Sequence, residues 1–122
     1  TGAVSIALGR EIAAVMGTSE QLVAGVIDAG AKVGERYWEL PLPDIYESHI
    51  ESEIADMKNI GKAGEAGTIS AALLLKRFVG DVPWAHLDIA GTGRSEASSG
   101  YLAKGGTAFS LRTFAALLEQ LA

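Results

Sequence analysis

The 122-residue sequence contains no cysteine. A disulfide framework, a thiolate zinc site and a thiol nucleophile are therefore excluded, and the absence fits a reducing compartment. Basic residues are not in excess: ten Lys and Arg face fifteen Asp and Glu, a formal net charge of −5. General nucleic-acid binding, which needs a basic face, is disfavoured. No apolar run approaches the roughly 18 to 20 residues of a membrane span, so no membrane partner is expected. Thr1 to Gly9 is apolar but has neither the basic leader nor the cleavage site of a signal peptide. The chain opens without Met, on residues with the character of a core. Termini usually lie at the surface, so the expectation is a piece of a longer polypeptide. The length suits one domain and not two. With 48% apolar residues, a packed core is within reach without cross-links.

Hydrophobic periodicity and turn residues divide the chain. Thr1 to Leu8 reads as a short helix behind a tight turn, and Glu11 to Met16 as a buried strand that periodicity alone does not separate from helix. Thr18 and Gln21 have the spacing of a capping box. Leu22, Val26, Ala29 and Val33 then follow at helical spacing, with Gly34 as the stop. Tyr37 to Leu40 is a short strand closed by Pro41 and Pro43, and Asp44 to His49 a helical turn. Ser52 to Asn59 is ambiguous, and Ile60 to Gly67, with three glycines, is a loop. Thr68 to Val79 is a helix apolar on most sides and so expected to be buried. Gly80 to Pro83 forms a turn, and Trp84 to Ile89 a strand. Ala90 to Gly106 is a loop with five glycines; loops beyond about 12 to 15 residues are often functional or disordered. Ser110 to Ala122 closes the chain as a helix with Leu111, Phe114, Ala115, Leu118 and Leu121 on one face. Alternating helices and short strands predict an α/β fold with a mainly parallel sheet.

No complete catalytic set emerges from residue types and spacing. His49 and His86 are far apart, with no HExxH pattern; metal ligands come in clusters, so His86 reads as a hydrogen-bonded core residue and His49 as a solvated one. Asp88 ends a strand beside the glycine-rich loop, where ligands gather in open α/β sheets. Asp44 stands out beside it but has no partner in the pattern. Glu53 and Asp56 fit a shared helical face, and equally a solvated one. Gly93-Arg94-Ser95-Glu96-Ala97 misses the last glycine of a nucleophile elbow. Gly61 to Thr68 lacks the order of a phosphate loop, and Gly91-Thr92-Gly93 lacks the third glycine of a dinucleotide turn.

Three ordered stretches carry more. Asn59 to Lys62 (NIGK), Gly67 to Phe78 (GTISAALLLKRF) and Pro83 to Gly91 (PWAHLDIAG) resemble the leucyl aminopeptidase family in order and spacing. Thr1-Gly2-Ala3 is similar to the end of that family's TLTGA segment. Trp38 to Pro43, and Tyr101-Leu102 with Lys104 to Thr107, also match. The resemblance covers essentially the whole chain. It implies a fragment of a three-layer α/β/α sandwich with a mainly parallel central sheet: the C-terminal part of a catalytic domain.

It further implies a cytoplasmic enzyme that removes amino-terminal residues from peptides, leucine favoured. Such an enzyme uses two divalent metal ions, zinc or manganese and possibly magnesium, and assembles as a homo-hexamer. The family's Asp, Glu and Lys ligands, and an Arg near the scissile bond, lie upstream of TLTGA and partly in an NTDAEGR motif. This chain is therefore expected to hold no catalytic residue and no metal, and to be inactive alone. By resemblance Thr1 and Gly2 line the pocket for the substrate's first side chain, Ala90 and Gly93 form its floor, and Gly91 allows close backbone approach. His86 and Asp88 take structural or supporting roles. Gly93 stands where relatives often carry Met or Ala, which implies a deeper pocket. Ala108 stands where many relatives have Gly. The alternative is a non-catalytic assembly module or a DNA-binding relative of the same fold. Isolated, the chain is expected to expose apolar surface and to associate.

Overall fold

The computed structural model describes residues 2–122. In chain order the elements are α1 (Ala3–Leu8), β1 (Ile12–Gly17), α2 (Glu20–Val33), β2 (Arg36–Glu39), a short 3-10 helix (Asp44–His49), α3 (Gly67–Lys76), β3 (Ala85–Asp88), β4 (Arg94–Ser95), β5 (Gly105–Gly106) and α4 (Leu111–Leu121). None of the described helices is long and apolar enough to cross a membrane. The segment 51–66, ambiguous in sequence at its start, holds no regular element.

β1 is the centre of the fold. Ala13, Ala14, Val15 and Met16 are all buried, the near-continuous apolar run of a strand covered on both faces. β2 lies parallel to it, Ile12 opposite Arg36 and Val15 opposite Glu39. β3 lies antiparallel on its other side, Ala14 opposite Asp88 and Gly17 opposite Ala85. The chain is thus α/β, and its three-stranded sheet is mixed, with one parallel and one antiparallel pairing. A single crossover helix, α2, returns the chain in parallel between β1 and β2. Between β2 and β3 the chain passes through the 3-10 helix and α3 and comes back in the opposite direction.

Helices cover both faces. Ala13 and Val15 pack with Val23 and Val26 of α2 and with Tyr37, and Phe109 and Leu117 close the same cluster. Ala14 and Met16 pack with Val4 of α1 and Ala72 of α3, flanked by Ile69, Leu40 and Trp84. The alternation of side chains along a strand produces these two clusters from one run of residues.

Helix boundaries follow local chemistry with one revision. Ser19, not Thr18, caps α2: its Oγ accepts from the Leu22 amide at 3.3 Å. Thr18 is taken up by the sheet instead. Its Oγ1 accepts from the Trp84 amide at 3.1 Å, and its own amide donates to the Trp84 carbonyl at 2.9 Å. Gly34 ends α2 in a left-handed conformation, φ 76°, and the Glu35 amide turns back to the Gly30 carbonyl at 2.9 Å.

The apolar stripe of α4 faces outward. Leu111, Phe114, Leu118 and Leu121 are exposed, while Thr113 is fully buried and Leu117 packs with the core. A buried hydrogen-bond network around Thr113 fixes the helix's rotation. Periodicity locates a stripe but does not say what covers it. α3 repeats the point: Thr68, Ser70, Ala72 and Leu73 are buried, but Leu75 is exposed, as is Phe78 just beyond.

Candidate functional site

The glycine-rich segment after β3 is ordered by hydrogen bonds at both ends. The Gly93 amide donates to the Ile89 carbonyl at 2.7 Å, closing a one-turn loop over 89–93. Thr107 grips that loop from the other strand. Its amide donates to the Gly93 carbonyl at 3.1 Å and its hydroxyl to the Thr92 carbonyl at 2.7 Å, while the same hydroxyl accepts from the Phe109 amide at 3.2 Å. β4 and β5 continue the pairing, Arg94 opposite Gly106 and Ser95 opposite Gly105. The stretch expected as a 17-residue loop is therefore partly a β-hairpin, with a further bridge between Ser99 and Leu102. Two-residue strands with glycine on one side have almost no periodicity to detect in sequence.

The structure places the pocket residues inferred from resemblance as follows. Thr1 lies outside the described residues. Gly2 precedes α1 with φ 75°, and its carbonyl accepts from the Ser5 hydroxyl at 2.6 Å and the Ser5 amide at 3.2 Å. Ala90 is exposed, and its amide donates to Asp88 Oδ1 at 3.2 Å. Gly91 is buried, and a Cβ there would meet the Gly9 carbonyl oxygen at 2.2 Å. Only glycine permits that approach, which seats the loop on the C-terminal end of α1. Gly93 is half-buried, and a Cβ there would lie 3.0 Å from the Ile89 carbonyl oxygen and 3.4 Å from Ile89 Cδ1. Ala90, Gly91 and Gly93 thus share one turn. Gly2 sits at the far end of α1 from Gly9, about 10 Å away for seven steps of about 1.5 Å each.

On the other side of the same segment lies a cavity of about 360 Å³ whose lining includes Thr92, Arg10, Glu11, Arg94, Glu35 and Arg112, but none of Gly2, Ala90, Gly91 and Gly93. Arg10 pairs with Glu96. Arg112 donates to the Tyr101 hydroxyl at 2.8 Å, stacks on that ring at 4.8 Å, and lies 3.5 Å from Glu35 Oε1. Glu35 is 2% exposed. Its Oε2 accepts from the Thr113 amide at 3.0 Å and the Thr113 hydroxyl at 2.6 Å. A carboxylate at the first turn of α4 satisfies an orphan amide and faces the positive end of the helix dipole. The Tyr37 hydroxyl lies 2.8 Å from Ser110 Oγ and 3.2 Å from Thr113 Oγ1. Burial raises the Tyr37 pKa above its ordinary value; the bonds to Ser110 and Thr113 oppose the rise, and Glu35 adds to it. Nothing in sequence marked Glu35, because its partner Thr113 lies 78 residues away. Thr92 Oγ1 is buried with no hydrogen-bond partner among the described residues.

The remaining candidates are engaged elsewhere. His86 is half-buried against Trp84, ring centroids 5.9 Å apart. Burial lowers its pKa, with Asp88 opposing. No hydrogen bond to its ring is present among the described residues, where its contact is with Trp84. His49 is half-buried, not solvated, with Nδ1 3.4 Å from Ser70 Oγ and Tyr46 edge-on at 5.1 Å. Asp44 pairs with Lys76 at 3.1 Å. Glu53 and Asp56 lie exposed outside any helix. The Ser95 hydroxyl donates to the Ala97 carbonyl at 2.6 Å and does not meet a histidine. Lys62, before α3, is held by Glu65 at 2.7 Å. Among the described residues no three His, Asp or Glu side chains come together as a metal site, so these residues do not fit a metal pair.

A sequence model of the catalytic domain of the cytosol aminopeptidase family matches residues 1–115. The chain belongs to the cytosol aminopeptidase family. Among curated relatives it is 49% identical over 121 residues to a protein of Syntrophobacter fumaroxidans and 50% identical over 120 residues to one of Syntrophotalea carbinolica. A third, from Gloeobacter violaceus, is 46% identical over 113 residues. Each is named a probable cytosol aminopeptidase. The alignments cover 98% of this chain for the first two and 93% for the third, but 24%, 24% and 22% of those proteins. The chain thus spans about a quarter of the length of the relatives it matches. The family is the one that the ordered NIGK, GTISAALLLKRF and WAHLDIAG stretches resembled.

Proposed function

We propose that this chain is part of a metal-dependent leucyl aminopeptidase that releases amino-terminal residues from peptides in the cytoplasm. The observation that carries this is family membership over 115 of 122 residues, joined to relatives at about 50% identity named probable cytosol aminopeptidases. The chain's part is the side-chain pocket and the scaffold behind it. Ala90, Gly91 and Gly93 supply a floor in a turn that Thr107 holds shut, and Thr1 and Gly2 supply the wall. Two divalent metal ions would provide water activation in the whole protein, with ligands drawn from polypeptide outside these residues. Assembly as a homo-hexamer belongs to the same proposal.

The test is hydrolysis of leucine p-nitroanilide by the full-length protein with added manganese. Release of nitroaniline that a chelator abolishes is the expected result. A folded, metal-loaded protein with no activity above background overturns the proposal. The 122-residue chain alone is expected to be inactive, and chelator-sensitive cleavage by it would contradict the assigned division of labour.

A further inference from the structure

Ile89 was not among the pocket residues suggested by resemblance, yet its side chain stands where the residue at 93 would project. A Cβ built on Gly93 lies 3.4 Å from Ile89 Cδ1 and 3.6 Å from Ile89 Cγ1. The relation is fixed by the backbone, because the Gly93 amide closes on the Ile89 carbonyl at 2.7 Å and Thr107 holds the Gly93 carbonyl from the other side. Ile89 is 36% exposed, so its side chain borders open space and is not consumed by the core. Loss of a side chain at 93 therefore does not simply leave a void: a branched aliphatic group four residues earlier borders that space.

We propose that Ile89 is a specificity-determining residue, which with Gly93 sets the depth of the pocket for the substrate's first side chain. The inference rests on the aminopeptidase function proposed above and on residues 90–93 forming the pocket floor. An aliphatic group beside a glycine favours a medium-sized aliphatic substrate side chain and resists an aromatic one. Hydrophobic pockets discriminate by about 10- to 200-fold for one methylene, so removing three carbons from Ile89 is a sufficient perturbation.

The experiment uses the full-length protein and the p-nitroanilides of leucine and phenylalanine. Ile89→Ala is expected to raise the ratio of kcat/KM for phenylalanine over leucine at least fivefold, carried mainly by KM. Ile89→Val should move it in the same direction by less. Gly93→Ala should lower the ratio, and the double variant Ile89→Ala with Gly93→Ala should return it toward wild type, because the two residues compete for one space. The conservative Ile89→Val variant reads the same ratio if the alanine variant fails to fold. Active wild type with both Ile89 ratios within twofold of its own overturns the role of Ile89 while leaving the aminopeptidase proposal standing. Inactive wild type overturns the aminopeptidase proposal, and this inference with it.

Discussion

Ala108 is the place where a small change has a calculable effect. It adopts φ 53°, the left-handed region that L side chains avoid. Resemblance suggested a glycine here in relatives, and this backbone is one that glycine adopts without strain. Contact between Cβ and the following carbonyl costs an L residue about 1–2 kcal/mol in this region. Ala108 is exposed, so its methyl group returns little by burial. Replacement by glycine relieves the strain but frees the unfolded chain, which costs about 0.4–1 kcal/mol. The balance for Ala108→Gly is a gain of about 0–1.6 kcal/mol. Ser110 is the control. It also has positive φ, 80°, but it is 4% exposed and its Oγ lies 2.8 Å from the Tyr37 hydroxyl. Ser110→Gly recovers the same backbone strain and weakens a buried hydrogen-bond network, where an unsatisfied group costs about 1–3 kcal/mol, so it should be net destabilising. Urea unfolding of the chain, followed by the fluorescence of Trp38 and Trp84, reads both through the midpoint at unchanged slope. Ala108→Gly with a lower midpoint than wild type, or Ser110→Gly as stabilising as Ala108→Gly, would refute the reasoning.

Further outcomes follow from other contacts. Gly91→Ala should destabilise by about 1–3 kcal/mol, since its Cβ would meet the Gly9 carbonyl oxygen at 2.2 Å and backbone must shift; a urea midpoint indistinguishable from wild type counts against the packing of the loop on α1. Tyr37 has a pKa raised by burial, so the unfolded state loses its proton first. Its contribution is complete below the ordinary tyrosine pKa of 10.0 and is lost as pH rises beyond it; Tyr37→Phe should flatten that alkaline decline in a pH series of unfolding midpoints. His86 has a pKa lowered by burial, so the unfolded state takes up the proton first. Stability should fall as pH drops below the ordinary histidine value of 6.5, and a His86→Gln variant that kept the full acid slope would show that the slope arises elsewhere. Glu35→Ala should cost about 1–3 kcal/mol by leaving the buried Thr113 amide without an acceptor, measured by the same urea titration.

Local chemistry made much of the chain legible. The four consecutive apolar residues Ala13 to Met16 marked a buried element, strand or helix, Gly34 marked the end of α2, and the spacing from Leu22 to Val33 marked the helix itself. These signals are short-range, and the physics that sets them acts within one turn or one strand. The ordered motifs carried the family, because they sample the chain at three separated places. What stayed hidden has a common cause. The cap of α2 fell to Ser19 because Trp84, 66 residues away, claims Thr18. The hairpin of β4 and β5 sets Arg94 opposite Gly106 and Ser95 opposite Gly105, a pairing invisible to periodicity.

By itself, then, the sequence determined the class of fold and the family, since each is written in local pattern or in ordered motif. Only the tertiary structure decided the direction of β3, the outward turn of the α4 stripe, the burial of Glu35 against Thr113 and the seating of Ile89 beside Gly93. The reason is physical: burial and hydrogen-bond partnership belong to pairs of residues brought together by the path of the chain, and no single stretch of sequence contains both members.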